Sequence, residues 1–118
     1  MILIVDDEAD LVRTCERLLR RNGHDVVTAT TCESAFTALL SGASRLVVCD
    51  VRLPDGNGLD VVRAAKRLDP PARAIVMTAQ PSEAGRCAAL ASGADVYLAK
   101  PFTASCFAAV VDRTLAQT

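Results

Sequence analysis

The run Leu46-Val47-Val48-Cys49 is apolar at every position and ends on Asp50. A strand with one wet face alternates polar and apolar residues, whereas an unbroken apolar run belongs to a strand covered on both faces, as in a parallel sheet. With 45–49 as one strand, four more short runs, at 2–5, 25–28, 73–77 and 96–99, are candidate strands. Between them the apolar residues change to helical spacing. Leu11, Val12, Cys15, Leu18 and Leu19 mark a helix over 8–22, stopped by Asn22-Gly23. Ala35, Phe36, Leu39 and Leu40 form the expected inner face of a helix over 32–41, closed by Gly42. A third helix covers about 58–68, between the turn cluster Pro54-Asp55-Gly56-Asn57-Gly58 and the break at Asp69-Pro70-Pro71. A fourth covers about 82–92, opened by Pro81 and Ser82 and closed by Gly93. Its interior Gly85 costs about 1 kcal/mol against alanine, so this helix is expected to be the least rigid. A fifth runs over 103–116 with Phe107, Val110, Val111 and Leu115 inward. Strand and helix thus alternate five times, which implies right-handed crossovers, a parallel sheet and helices on both faces. The expected fold is α/β, a single doubly wound (βα)5 domain over residues 1–118.

Composition narrows the function. At 118 residues the chain is long enough for one core and too short for two. A net charge of −1, with arginines scattered, gives no reason to expect nucleic acid or an anionic membrane as direct partner. Arg13, Arg17, Arg20 and Arg21 follow helical spacing and read as a solvated face. No apolar stretch approaches the roughly 18 residues of a membrane span, and Met1 leads straight into a strand without a secretory leader. The five cysteines, Cys15, Cys32, Cys49, Cys87 and Cys106, form no CxxC pair, and His24 is the lone histidine, so zinc and a disulfide framework are not expected. Reduced thiols in a cytoplasmic protein are the expectation, with Cys49 and Cys106 acting as small core residues. His24, at a turn away from Asp50, is expected to have a structural or surface role.

Chemistry gathers at the strand ends. The first strand runs into Asp6-Asp7-Glu8, the third into Asp50, the fourth into Thr78 and the fifth into Lys100. In an open parallel sheet these ends share one edge, and ligands bind there, where strand order reverses. Each residue has a plain alternative: acidic residues favouring a helix N-terminus, a loop aspartate, a helix-capping threonine, a surface lysine. Their joint placement is what points to a site. Carboxylates within a few ångströms repel by roughly 4 kcal/mol per pair at an effective dielectric near 20. A hard divalent cation with oxygen ligands, Mg²⁺ above all, offsets that repulsion, as does Lys100.

The motifs Ile4-Val5-Asp6-Asp7-Glu8, Asp50-Val51-Arg52-Leu53-Pro54-Asp55-Gly56-Asn57-Gly58, Met77-Thr78-Ala79, Gly93-Ala94-Asp95 and Lys100-Pro101-Phe102 closely resemble those of bacterial two-component response regulator receiver domains of the CheY-like family. The resemblance covers essentially the whole chain. It implies a flavodoxin-like sheet of order 2-1-3-4-5. It implies a phosphoacceptor that receives a phosphoryl group on Asp50 from a histidine kinase or phosphotransfer protein, and that is not an enzyme beyond promoting its own phosphorylation and dephosphorylation. By the same resemblance, Asp7, Asp50 and the backbone carbonyl of Arg52 bind Mg²⁺ directly and Asp6 acts through metal-bound water. Lys100 pairs with the phosphoryl oxygens, Thr78 hydrogen-bonds one of them, and Tyr97 is a rotating aromatic switch, although ordinary packing also fits that residue. A cis peptide at Lys100-Pro101 is implied as well. Output passes through the face of the fourth helix, fifth strand and fifth helix to an output domain or effector, with a homodimer possible in such a family.

Three rivals are weighed. A flavodoxin-like FMN module needs a Ser/Thr/Gly-rich loop after the first strand, where this chain has Asp6-Asp7-Glu8. An aspartate-based phosphatase needs a cap domain. A degenerate receiver that acts as a phosphorylation-independent interaction module is the remaining alternative, and the intact Asp50, Thr78 and Lys100 speak against it.

Overall fold

The computed structural model describes residues 1–117. In chain order the elements are β1 (Ile2–Val5), α1 (Ala9–Arg21), β2 (Val26–Ala29), α2 (Cys32–Leu39), β3 (Leu46–Asp50), β4 (Arg52–Leu53), β5 (Gly56–Asn57), α3 (Gly58–Lys66), β6 (Arg73–Thr78), α4 (Glu83–Ala91), β7 (Val96–Ala99) and α5 (Ala104–Ala116). Five strands form one sheet in the order β2-β1-β3-β6-β7, and every pairing in it is parallel. This is the expected 2-1-3-4-5 order, because β4 and β5 pair only with each other in a small antiparallel hairpin. The hairpin is not among the strands expected from the sequence: β5 falls within the turn cluster and β4 just before it, and two-residue strands carry no periodicity to find.

Alternation along the strands divides the core. Ile2, Ile4, Leu46, Val48, Ile75 and Met77 pack with α1 and α5, where Phe107 is wholly buried. Leu3, Val5, Val47, Cys49 and Val76 point the other way, into a cluster with α2, α3 and Ala89 of α4. Full burial of side chains of this size contributes roughly 1.5–3 kcal/mol each. Two expectations fail at the helices. Phe36 and Leu40 face outward, 39% and 85% exposed, because the buried stripe of α2 is Cys32, Ala35 and Leu39, and Leu40 already lies past the last helical turn. Cys106 is exposed: it sits in the first turn of α5, its amide capped by the Thr103 hydroxyl at 3.1 Å, and the inward stripe begins one residue later at Phe107. Cys49 is buried as expected, and burial pushes its thiol up and so keeps it neutral.

The strand register sets the site. Val5 pairs with Cys49, so Asp6 and Asp50 are the next residues at neighbouring strand ends, where the order reverses. Thr78 is the last residue of β6, beside Ala99, and its carbonyl accepts the Lys100 amide at 2.8 Å. The Lys100-Pro101 peptide is cis, as the resemblance implied, and Asp69-Pro70 is cis too. His24 lies 3.9 Å from Asp112, between the end of α1 and α5, and precedes the start of β2, whereas the carboxylates sit where β1 and β3 end.

Candidate functional site

Asp6 is completely buried, yet both its oxygens have partners. Oδ1 accepts the Glu8 amide at 2.9 Å, and Oδ2 lies 2.6 Å from Lys100 Nζ. The same Nζ donates to Asp50 Oδ2 at 3.1 Å and to Glu8 Oε1 at 3.1 Å. One ammonium therefore binds three carboxylates that come from the ends of β1 and β3. The cis-linked turn after β7 presents it, and only 9% of its side chain reaches solvent. Burial opposes the charge on Lys100, but hydrogen bonds and attraction from Asp6 and Asp50 outweigh it and hold the ammonium above its ordinary range. Burial also pushes the Asp6 carboxyl up, against the hydrogen bonds from Lys100 and the Glu8 amide. These two directions oppose each other; the ion pair prevails, since the 2.6 Å contact is reinforced by the second carboxylate of Asp50.

Asp7 completes the acidic group from the exposed side. One oxygen each of Asp6, Asp7 and Asp50 lie within 4.8 Å of one another. All are hard oxygen donors of the kind Mg²⁺ prefers, and Lys100 alone does not neutralise four nearby carboxylates, so this donor set fits a divalent cation. An open cavity of about 230 Å³ lies over them, lined by Asp7, Glu8, Asp50, Arg52, Thr78 and Gln80. Thr78 is 8% exposed; its Oγ1 accepts the Gln80 amide at 3.0 Å, which leaves its hydroxyl proton free for another acceptor. The Arg52 amide approaches Asp50 Oδ1 at 3.4 Å. Tyr97 stands apart from the carboxylates, half-buried on β7, and lines a second cavity together with Thr78.

The loop after Asp50 is firmly held. The Gly58 amide donates to the Val51 carbonyl at 2.7 Å, and a Cβ on Gly58 would lie 1.8 Å from the Asp50 carbonyl oxygen. Asp55 reaches across to α2, accepting the Cys32 amide at 2.7 Å and the Glu33 amide at 3.0 Å. These bonds hold its carboxyl below the usual range. The Thr31–Ser34 capping box satisfies the next amide of the same helix end. The sequence reading named Glu8, Asp55 and Gly58 only as parts of motifs. Glu8 stands where a helix cap belongs but makes no cap bond, turning to Lys100 instead. Nothing in a single sequence signals that partner, and the partner of Asp55 lies 23 positions away.

Residues 2–112 match the model of the response regulator receiver domain. The chain belongs to the receiver domain family. It is 35% identical over 114 residues to the DNA-binding transcriptional regulator NtrC of Azospirillum brasilense, which covers 97% of this chain but only 24% of that protein. The non-phosphorylated HemR receiver domain of Leptospira biflexa superposes with a TM-score of 0.91 at 31% identity, over 99% of this chain and 94% of that one. A response regulator of Burkholderia pseudomallei, with a phosphorylated aspartic acid and a calcium ion, superposes with a TM-score of 0.82 at 33% identity, over 92% of this chain and 64% of that one. The receiver is thus a signalling domain of two-component systems, built on the CheY-like, flavodoxin-like fold. No helix among its described residues is long and apolar enough to cross a membrane.

Proposed function

We propose that residues 1–118 form a phosphoacceptor domain in which Asp50 takes a phosphoryl group from a phosphohistidine of a histidine kinase or phosphotransfer protein. The observation that supports this most is the Lys100 ammonium held between Asp6 and Asp50 beneath an open acidic cavity. In the transfer, an Asp50 oxygen bonds to phosphorus as the bond from phosphorus to the imidazole nitrogen breaks, and the electron pair stays with the imidazole. Little covalent work falls to the protein; position and charge do most of it. Lys100 neutralises the incoming oxygens from one side, and the Thr78 hydroxyl donates to one of them. Asp7, Asp50 and the Arg52 carbonyl would hold Mg²⁺, with Asp6 acting through a bound water. There the ion would supply charge neutralisation. Incubated with Mg²⁺ and acetyl phosphate, the protein should gain one phosphoryl group by intact-mass analysis, and Asp50→Ala should gain none. Equal labelling of the two proteins would remove Asp50 from this role.

The reading extends to output. As Thr78 draws toward the phosphoryl group, space opens beside Tyr97, and the face of α4, β7 and α5 changes. That face is where an output domain, an effector or a second copy would meet this receiver in the cytoplasm. The phosphoryl group shifts the population only through contacts it makes better in one state, and Thr78 supplies such a contact. Thr78→Ala should therefore still accept the phosphoryl group. Its amide chemical-shift changes over residues 82–107 on adding beryllofluoride should shrink to a minor fraction of those in the unmodified protein. Undiminished distal changes would break the proposed coupling.

A further inference from the structure

Gly85 is the third residue of α4, and its backbone is helical, so no left-handed conformation requires a glycine there. In that setting alanine is the better residue by about 1 kcal/mol. The space beside it explains the glycine. A Cβ on Gly85 would lie 2.7 Å from the Tyr97 hydroxyl oxygen, a contact that real Cβ atoms do not make, and 3.6 Å from the ring carbon that carries the hydroxyl. The Ser82 Oγ would be 3.0 Å away, tight but adjustable. The Tyr97 hydroxyl also accepts the Ser82 amide at 3.4 Å. It therefore rests in a notch at the start of α4, formed by an amide on one side and a missing side chain on the other. Next to the ring is the second cavity, about 230 Å³, bounded by Thr78, Leu59, Asn57, Ala88 and Tyr97 itself. Gly85 lines this cavity too, so the ring rests at its Gly85 end with open space running toward Thr78.

We propose that Gly85 is a seat that holds Tyr97 in the resting state, and that the absent Cβ sets how far the phosphoryl group must shift the equilibrium. The end of the Tyr97 side chain is the part that can yield, whereas the helix backbone at Gly85 cannot. G85A expels the hydroxyl from the notch and drives the ring toward the Thr78 side. The ratio of switched to resting receiver rises roughly fivefold or more, the low end of usual coupling between sites, without any phosphoryl group. The existence of the seat rests on geometry alone; only the direction of the shift rests on the switching reading above.

Tyr97 is the only tyrosine in the chain, so its ring signals in an NMR spectrum are a single unambiguous set. Four proteins are compared: the unmodified receiver, G85A, Y97F and G85A/Y97F, with Mg²⁺-beryllofluoride on the unmodified receiver as the switched endpoint. G85A should move the Tyr97 ring signals and carry the amides of residues 82–107 part of the way toward that endpoint. In the Y97F background the nearest atom is gone, so adding G85A should leave those amides where Y97F put them. A G85A shift of equal size with and without the hydroxyl would assign the effect to the Ser82 cap and overturn the seat. Unmoved ring signals would overturn it as well, and amides that travel away from the endpoint would overturn its assignment to the resting state. If the unmodified receiver ignores beryllofluoride altogether, the phosphorylation reading fails, and the ring signals still decide the seat.

Discussion

Gly58→Ala should cost the receiver about 3 kcal/mol or more of folding stability. Most cavity-filling errors are relieved by a neighbouring side chain that rotates away, at about 1–3 kcal/mol. Here the added Cβ would lie 1.8 Å from the backbone oxygen of Asp50 and 2.8 Å from the buried Sγ of Cys49. Neither can turn aside, since the first is main chain and the second is packed in the core. Relief requires the loop to part from the end of β3, which breaks the 2.7 Å bond from the Gly58 amide to Val51 and moves Asp50 itself. Against a total of about 5–15 kcal/mol for a domain of ordinary stability, that is a large share. Urea titration should show a lowered midpoint, and the melting temperature should fall on the order of 10 °C or more. Acetyl phosphate labelling should be lost even under conditions where the variant stays folded. A stability change below about 1 kcal/mol would mean that the loop has slack the geometry does not suggest.

Lys100→Met should be the other large effect, and its size should depend on pH. The substitution keeps the volume and removes the charge, so Asp6 and Asp50 lose their shared counterion while Asp6 stays buried. Breaking a buried pair on one side costs about 3–5 kcal/mol, less whatever protonation of Asp6 recovers. In the unmodified protein burial already raises the Asp6 carboxyl above its ordinary 3.8 and Lys100 restrains that rise; without Lys100 the rise is larger. A raised carboxyl means that the folded form binds the proton more tightly. Its stabilising contribution is present in acid and is lost as pH climbs through the raised value. The loss relative to the unmodified protein should therefore be smaller at about pH 5 than at about pH 8. The unmodified protein should be nearly flat across that window as far as Lys100 is concerned. A lysine held above its ordinary 10.5 gives up its contribution only in strong base. Urea unfolding in EDTA at the two pH values measures this, and an equal loss at both would refute the account. Mg²⁺ at ten times its dissociation constant should return about 1.4 kcal/mol to either protein.

Much of this architecture was legible from apolar patterning. The continuous run Leu46–Cys49 fixed a doubly covered central strand, and Asn22-Gly23 and Gly93 stopped their helices where expected, with Gly23 and Gly93 both at positive φ. Misplaced residues lie where a helix stripe is short. On an eight-residue helix such as α2, the sequence offers Phe36 and Leu40 as plausibly as Ala35 and Leu39, and only packing against β1 and α3 chooses. Cys106 fails for a related reason, because a small residue in a first turn has no strong preference for either side. At the site, residue types at strand ends were readable because topology brings strand ends together. Contacts between a side chain and a distant backbone, such as Asp55 on α2, were not, since any turn aspartate looks alike in sequence.

The loop between Asp50 and α3 has its carbonyls, amides and carboxylate tied on every side: to Val51, to Asp50 Oδ1, and through Asp55 to α2. Toward Thr78 and Tyr97, by contrast, lie two cavities, which the loop also borders at Arg52, and a hydroxyl resting in a notch. Stiffness is therefore lopsided about the central aspartate. A disturbance applied there is expected to find more give toward β6 and β7 than toward α2.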